Sequence, residues 1–312
     1  MLKAQIEIIY QACPERSRRA CPERSRRDND IIVINKPSGV SVTKDRSGDA
    51  ELLDILNDQL GPQISSKLRL VYRLDKHTSG VMILAKNAET QSVFSSYFEK
   101  KLIKKTYLAL VTGVVPDLQG TINTPLMRSR KNPALMCITH KKGKEAVTDW
   151  KLLADFGTVA LLAVNPLTGR THQIRVHLPS IGLPLAIDPL YGSSRPLFLS
   201  DFKTNYRLGS GRTEKPLIDR LTLHAYQLEL PPLCHSEQSE ESRLSSHSEA
   251  KPKNLNHESR ATSDESRNLF IAGLDKKFTT TVKMLTKHNP KGLNAFTNPD
   301  NFSKIVNTQR LY

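Results

Sequence analysis

Residues 71–113, VYRLDKHTSGVMILAKNAETQSVFSSYFEKKLIKKTYLALVTG, carry the pattern that decides the fold class. VMILAK (81–86) is a short apolar run directly after the segment RLDKHTSG, which predicts a buried strand. AETQSVFSSYFEKKL (88–102) sets Val93, Phe94, Tyr97, Phe98 and Leu102 at helical spacing and predicts an amphipathic helix. KKTYLALVTG (104–113) returns to strand character and stops at Gly113. Further out, IIVINK (31–36) is a β-branched apolar run closed by Pro37 and Gly39, and strands are predicted at 146–153, 158–165 and 222–230. THQIRVHLPSIG (171–182) places Ile174, Leu178 and Ile181 on one helical face, with Thr171 near its start and Pro179 expected to kink or end it. A last helix is predicted around 275–287, with Phe278, Val282 and Leu285 spaced for packing. Strands outnumber helices and often adjoin in sequence. The class is therefore α+β, a mixed, mostly antiparallel sheet with flanking helices.

The chain has 312 residues, enough for one large domain or two small ones. Its hydrophobic fraction of 38% falls below the ~45–50% usual for a globular domain, so part of the chain is expected to stay outside the core. Lys and Arg number 46 against 31 acids, a formal net charge of +15. Such a balance calls for a polyanionic partner, nucleic acid or an anionic membrane surface. No run of ~18 apolar residues spans a bilayer, and the N-terminus does not read as a signal peptide. A soluble, cytoplasmic protein is expected. None of Cys13, Cys21, Cys137 and Cys234 sits in a CxxC pair or a zinc-like cluster, so neither a disulfide nor a metal is expected.

Two stretches read as inserted. Residues 12–27, ACPERSRRACPERSRR, repeat an eight-residue unit without change, and dense Arg with no apolar face predicts a solvated loop. It is either a recent low-complexity insertion or an arginine-rich RNA-binding loop. Without it, IEIIYQ joins DNDIIVINKPSG as strand, turn, strand. Residues 234–268 are rich in Ser, Glu, His and Arg, and almost empty of large apolar side chains. The first stretch carries six Arg and two Glu, the second seven acids and five bases, so removing both still leaves +13. The basic character belongs to the folded part, which favours nucleic acid as partner.

Three segments hold chemical residues that a plain core would not need. In VYRLDKHTSG, Asp75 lies between Arg73 and Lys76 ahead of a turn. In KKTYLALVTG, Tyr107 sits in a strand. In NPLTGRTHQIRVHLPSIGLPLAIDPLYG (165–192), Gly169, Arg170, His172, Gln173, Arg175 and His177 crowd a helix start, where arginines are natural partners for phosphate or carboxylate. No GxGxxG follows a strand and no Walker loop is present, so nucleotide-cofactor chemistry is unsupported. A hydrolytic nuclease would need a carboxylate cluster or an HxH metal arrangement, and neither occurs.

DNDIIVINKPSGVSV, YRLDKHTSG, KKTYLALVTG, TGRTHQIRVHLPSIG with DPLYG, and RLTLHAYQLEL stand in the order seen in the RluA-type pseudouridine synthases. The resemblance covers nearly the whole chain outside the two inserted stretches. It implies one catalytic domain over 1–312 with a central RNA-binding cleft, and no metal or organic cofactor. No separate N-terminal RNA-binding module is visible. The implied substrate is structured RNA rather than DNA, with large-subunit ribosomal RNA first and transfer RNA second; a monomer is the default expectation.

By position, Asp75 resembles the family's nucleophile and Tyr107 the tyrosine that stacks on the target base and helps remove its C5 proton. Arg175 resembles the basic partner of the catalytic aspartate, and Arg73 the arginine that fills the gap left by the flipped base. Arg170, His172 and Gln173 are expected to bind substrate. Breaking N1–C1′, turning the uracil and rejoining it through C5 could proceed by carboxylate attack on C1′ or by proton abstraction from the ribose. Three departures from the family pattern stand out: Tyr72 for a common His, Ile187 for a common Gly, and Pro179 in the helix that carries Arg175. A catalytically impaired RNA-binding relative is the alternative reading.

Overall fold

A computed structural model describes residues 5–11, 30–44, 49–203, 205–207, 213–231 and 269–288. The segments read as insertions, 12–27 and 234–268, lie outside the described residues, as do Cys13, Cys21 and Cys234. Cys137 is a free thiol.

The strands are β1 (Glu7–Gln11), β2 (Ile31–Lys36), β3 (Arg69–Leu70), β4 (Ser79–Ala85), β5 (Lys104–Thr112), β6 (Gln119–Asn123), β7 (Leu126–Arg128), β8 (Met136–Ile138), β9 (Val147–Asp155), β10 (Val159–Pro166), β11 (Leu223–Glu229) and β12 (Leu269–Ile271). The helices are α1 (Leu52–Leu60), α2 (Pro62–Ser65), α3 (Ala88–Glu99), α4 (Gln173–Ser180) and α5 (Lys276–His288). One sheet runs in the order β1-β2-β4-β11-β5-β10-β9-β6, with β3 on β4 and β12 on β11; β7 and β8 form a separate hairpin. Every pairing in the main sheet is antiparallel except β4 with β11. The mixed, mostly antiparallel α+β class is what the strand-rich pattern called for.

Burial explains the sequence signals. β4 is buried at every position, covered on both faces, and so reads as an unbroken apolar run rather than an alternation. β5 is buried on both faces too over Leu108–Val111, facing different cores by turns. Leu108 and Leu110 pack with Phe278 and Val282 of α5, while Ala109 and Val111 pack with Ile174 and Leu178 of α4. α3 starts at Asn87, whose side chain accepts the Thr90 N–H at 2.8 Å. It stops before Leu102, which the helical spacing had placed on the packed face and which is 46% exposed. Lys101 takes a left-handed conformation (φ 59), and the Lys101 and Leu102 N–H groups close on the Phe98 and Tyr97 carbonyls. That Schellman closure turns the chain before Leu102 can join the stripe.

β4 and β11 meet only at Ser79–Gly80 against His224–Ala225. Gly80 has φ +121, and a Cβ there would run into the Ala225 backbone, so the crossing demands glycine. Gly80→Ala is expected to cost at least about 2 kcal/mol, seen as a lower urea midpoint.

Next to this crossing, His224 is fully buried, with Nδ1 2.9 Å from Ser79 Oγ and Nε2 3.2 Å from the Ala272 carbonyl. A carbonyl only accepts, so Nε2 carries the proton and Nδ1 accepts from Ser79. Burial pushes the His224 pKa down to about 4. The unfolded chain therefore takes up a proton that the folded one refuses as pH falls from about 6.5 towards 4. Stability present at neutral pH is lost across that window, by up to about 3 kcal/mol from this group. His224→Gln should flatten this part of the stability–pH curve in thermal melts.

Candidate active site

Asp75 lies in the turn between β3 and β4. The turn is pinned from below by the NKPSG segment that ends β2. Gly39 N–H and Lys36 Nζ both donate to the Lys76 carbonyl, at 2.9 and 3.0 Å, and Ser38 Oγ donates to the His77 carbonyl at 2.6 Å. Lys36 is itself fully buried and also donates to the Pro37 and Val40 carbonyls. Burial pushes its pKa down to about 7, with the Asp75 charge working the other way. The Thr78 N–H closes the turn on the Asp75 carbonyl.

Facing this turn is α4, which begins where the chain leaves β10 through Thr168, Gly169 and Arg170. Arg175 points from α4 towards Asp75 with Nη1 3.3 Å from Asp75 Oδ2. Its stronger partner is Asp188, which takes Nε at 2.8 Å and Nη2 at 2.7 Å. This is the bidentate geometry that suits a guanidinium. Asp188 is held in turn by the Leu190 and Tyr191 N–H groups on Oδ1. Burial works against the Arg175 charge, but the bonds and charges of Asp188 and then Asp75 together hold the guanidinium pKa above its ordinary value. Tyr191 covers the guanidinium at 5.3 Å.

The two halves enclose an open cavity of about 770 Å³. Tyr107 lines it from β5, Tyr72 and Arg73 from the Asp75 turn, Phe98 from α3, and Arg170 and His172 from the approach to α4. Burial, and then the Asp75 charge, push the Tyr107 phenol well up, so it stays protonated. Six cationic side chains line the space (Arg73, Lys76, Lys101, Lys105, Arg170 and Arg175), against the carboxylates of Asp75 and Glu99. Burial lowers Lys105 to about 8, which leaves it mostly charged at pH 7. Among the described residues, no group of three or more His, Cys, Asp and Glu could hold a metal ion.

The structure thus brings Asp75, Tyr107 and Arg175 to one cavity and leaves Arg73 exposed at its rim. Arg170 is half-exposed, with Nε on the Glu145 carbonyl. Gln173, expected to bind substrate, lines the cavity, is only 4% exposed and has a saturated amide. Oε1 accepts from Thr168 Oγ1 and the Arg170 N–H, while Nε2 donates to the Val147 carbonyl and Thr148 Oγ1. It fastens the start of α4 to β9. Asp188 and Tyr191 were not assigned roles from the sequence, although both stand in the DPLYG motif. The departures are absorbed locally. Tyr72 donates to the Val81 carbonyl and packs on Phe98, Ile187 is buried, and Pro179 lies in the last turn of a helix that ends at Ser180.

Residues 30–180 match the family model described as RNA pseudouridylate synthase. An uncharacterised RNA pseudouridine synthase of Haemophilus influenzae is 36% identical over 225 residues, which cover 72% of this chain and 82% of that protein. The chain belongs to the RluA-type RNA pseudouridine synthase family. A similar relative from Zymomonas mobilis is 35% identical, over 65% of this chain and 84% of that protein. Ribosomal large subunit pseudouridine synthase C of Buchnera aphidicola is 36% identical over 64% of this chain, but the match spans only 59% of that protein. The chain likewise spans little more than half the length of other ribosomal large subunit synthases that it matches. Human RNA pseudouridylate synthase domain containing 1 shares the fold, with a TM-score of 0.52 and 25% identity over 73% of this chain and 79% of that one.

The buried pair generates a stability prediction. Asp188→Ala strips Arg175 of two hydrogen bonds inside the protein and should cost about 3–5 kcal/mol in a denaturant titration.

Proposed function

We propose that this protein isomerises specific uridines to pseudouridine in structured RNA, with Asp75 as the nucleophile. The observation that carries the reading is the Asp75–Arg175 pair at 3.3 Å in a cation-lined cavity that Tyr107 also lines. Asp75 Oδ2 faces Arg175, while Oδ1 has no partner among the described residues. A target base flipped into the cavity would stack on Tyr107 and bring its ribose to Oδ1. Either Oδ1 attacks C1′ and expels uracil through N1, or it removes a ribose proton and the base leaves by elimination. In both routes the detached uracil turns while held in the cavity and C5 rejoins C1′ in an effectively intramolecular step, displacing Oδ1 in the first route and with Asp75 returning the proton to the ribose in the second. The C5 proton then passes to solvent and N1 regains a proton. Tyr107, kept as the neutral phenol, stacks on the base and relays that proton rather than beginning as a phenolate. Arg73, at the rim, is placed to fill the stack that the flipped base leaves.

Large-subunit ribosomal RNA is the proposed substrate class, since several relatives carry that substrate in their names; transfer RNA is second. The cationic lining supports a phosphate-tracking partner with salt-dependent affinity. RNA rather than DNA, a cytoplasmic location and a monomeric protein complete the reading. Among the described residues no helix is long and apolar enough to cross a membrane.

RNA carrying tritium at uracil C5 releases label to water when the C5–H bond is replaced. Wild type is expected to release label from unmodified ribosomal RNA, and Asp75→Asn to be at least about 10⁴-fold slower while still binding. Salt-sensitive binding of ribosomal and transfer RNA with no release from either would overturn the isomerase reading in favour of a binding protein.

A further inference from the structure

His172 has a defined place on both sides of its ring. Nδ1 lies 2.7 Å from Tyr191 Oη, and Nε2 lies 3.9 Å from Asp75 Oδ2, the same oxygen that faces Arg175. Tyr191 Oη already accepts the Met136 backbone N–H at 2.8 Å. Its single proton is therefore best used towards His172 Nδ1. A neutral imidazole that accepts at Nδ1 must carry its own proton on Nε2, aimed at Asp75. The opposite tautomer would set a bare Nε2 lone pair against a carboxylate and leave the Tyr191 proton without an acceptor among the described residues.

The surroundings favour the neutral ring. Burial lowers the His172 pKa from its ordinary value; Asp75 opposes this, Arg175 reinforces it, and Asp188 opposes it weakly. These three and Tyr191 are the charged or titratable groups that face the ring. The backbone is also committed to this placement. His172 sits at φ 54, ψ 21, a left-handed conformation costing a non-glycine residue about 1 kcal/mol or more, and its ring stands edge-on to Tyr191.

We propose that Tyr191 locks His172 in the Nε2–H tautomer, and that this N–H joins Arg175 in holding Asp75 Oδ2, so that Oδ1 is the oxygen that reacts with the ribose. At 3.9 Å the contact is longer than a hydrogen bond, and it closes to one when substrate fills the cavity. His172 is a positioning residue, acting through Asp75. The inference rests on the isomerase reading. Protonating His172 would place a second full cation on Asp75 and weaken it as a nucleophile. The acid limb of the single-turnover rate should then lie below pH 6.5 and belong to His172.

Two readouts test this on the full chain. Long-range ¹⁵N–¹H correlation spectra report the imidazole tautomer without any need for turnover, with His172→Gln assigning the signal. Wild type at pH 7 should show His172 as Nε2–H, and Tyr191→Phe should shift it towards Nδ1–H. In single-turnover tritium release, Tyr191→Phe should be about tenfold slower at unchanged RNA affinity. His172→Gln cannot titrate, so its single-turnover rate should be lowered at neutral pH and should lose the acid limb. An Nδ1–H or imidazolium signal in wild type overturns the lock. An acid limb that survives in His172→Gln overturns the positioning role. A wild type that releases no tritium overturns the isomerase reading, and the tautomer signal then reports on the lock alone.

Discussion

One guanidinium shared between two carboxylates organises this molecule's chemistry. Arg175 is 2% exposed, and a cation so buried is tolerable only with a full set of acceptors. Asp188 supplies two of them in a bidentate clamp, which fixes the plane of the guanidinium and leaves Nη1 facing Asp75. The Asp75 carboxylate is thus oriented by a group that cannot itself rotate away. α4, the Asp188–Tyr191 turn and the Asp75 turn are tied at this point, although they lie far apart in sequence.

The sheet exists in the form that this tie requires. β4 is central, covered on both faces, and its first two residues make the parallel crossing with β11 through Gly80. That crossing, with buried His224 beside it, sets where the Asp75 turn emerges. The NKPSG turn supports it through Lys36, Ser38 and Gly39. Opposite, Gln173 Nε2 anchors the start of α4 to β9, while its Oε1 holds the Thr168–Arg170 approach. The cavity between these two rigid edges gathers its positive charge from several different elements.

Local physics made much of this legible beforehand. Continuous apolar runs at 31–36 and 81–86 read as strands because both faces of those strands are covered. The α3 stripe read as a helix because Phe94 and its neighbours repeat at helical spacing. What failed was decided at longer range or by single backbone angles. Leu102 leaves its stripe because Lys101 adopts a left-handed turn, which no hydrophobic period encodes. α1 and the β7–β8 hairpin are short and are held mostly by what they pack against. The partners of Gln173 on β9 lie some 25 residues away, which its own segment does not encode. Asp188 was hidden for the same reason. A carboxylate 113 residues beyond Asp75 gains its role only when the fold closes. The Asp75 motif itself stood out through turn chemistry and family resemblance together.

If Asp188 acts on Asp75 through Arg175, a double-mutant cycle shows it most directly. Single-turnover tritium release would be measured for Arg175→Lys, Asp188→Asn and the double variant, with melting curves confirming that each is folded at the assay temperature. Both single variants should slow the reaction by a similar factor, and the double variant should be scarcely slower than either, because all three break the same clamp. Fully multiplicative losses, or an Asp188→Asn rate equal to that of wild type, would contradict the account.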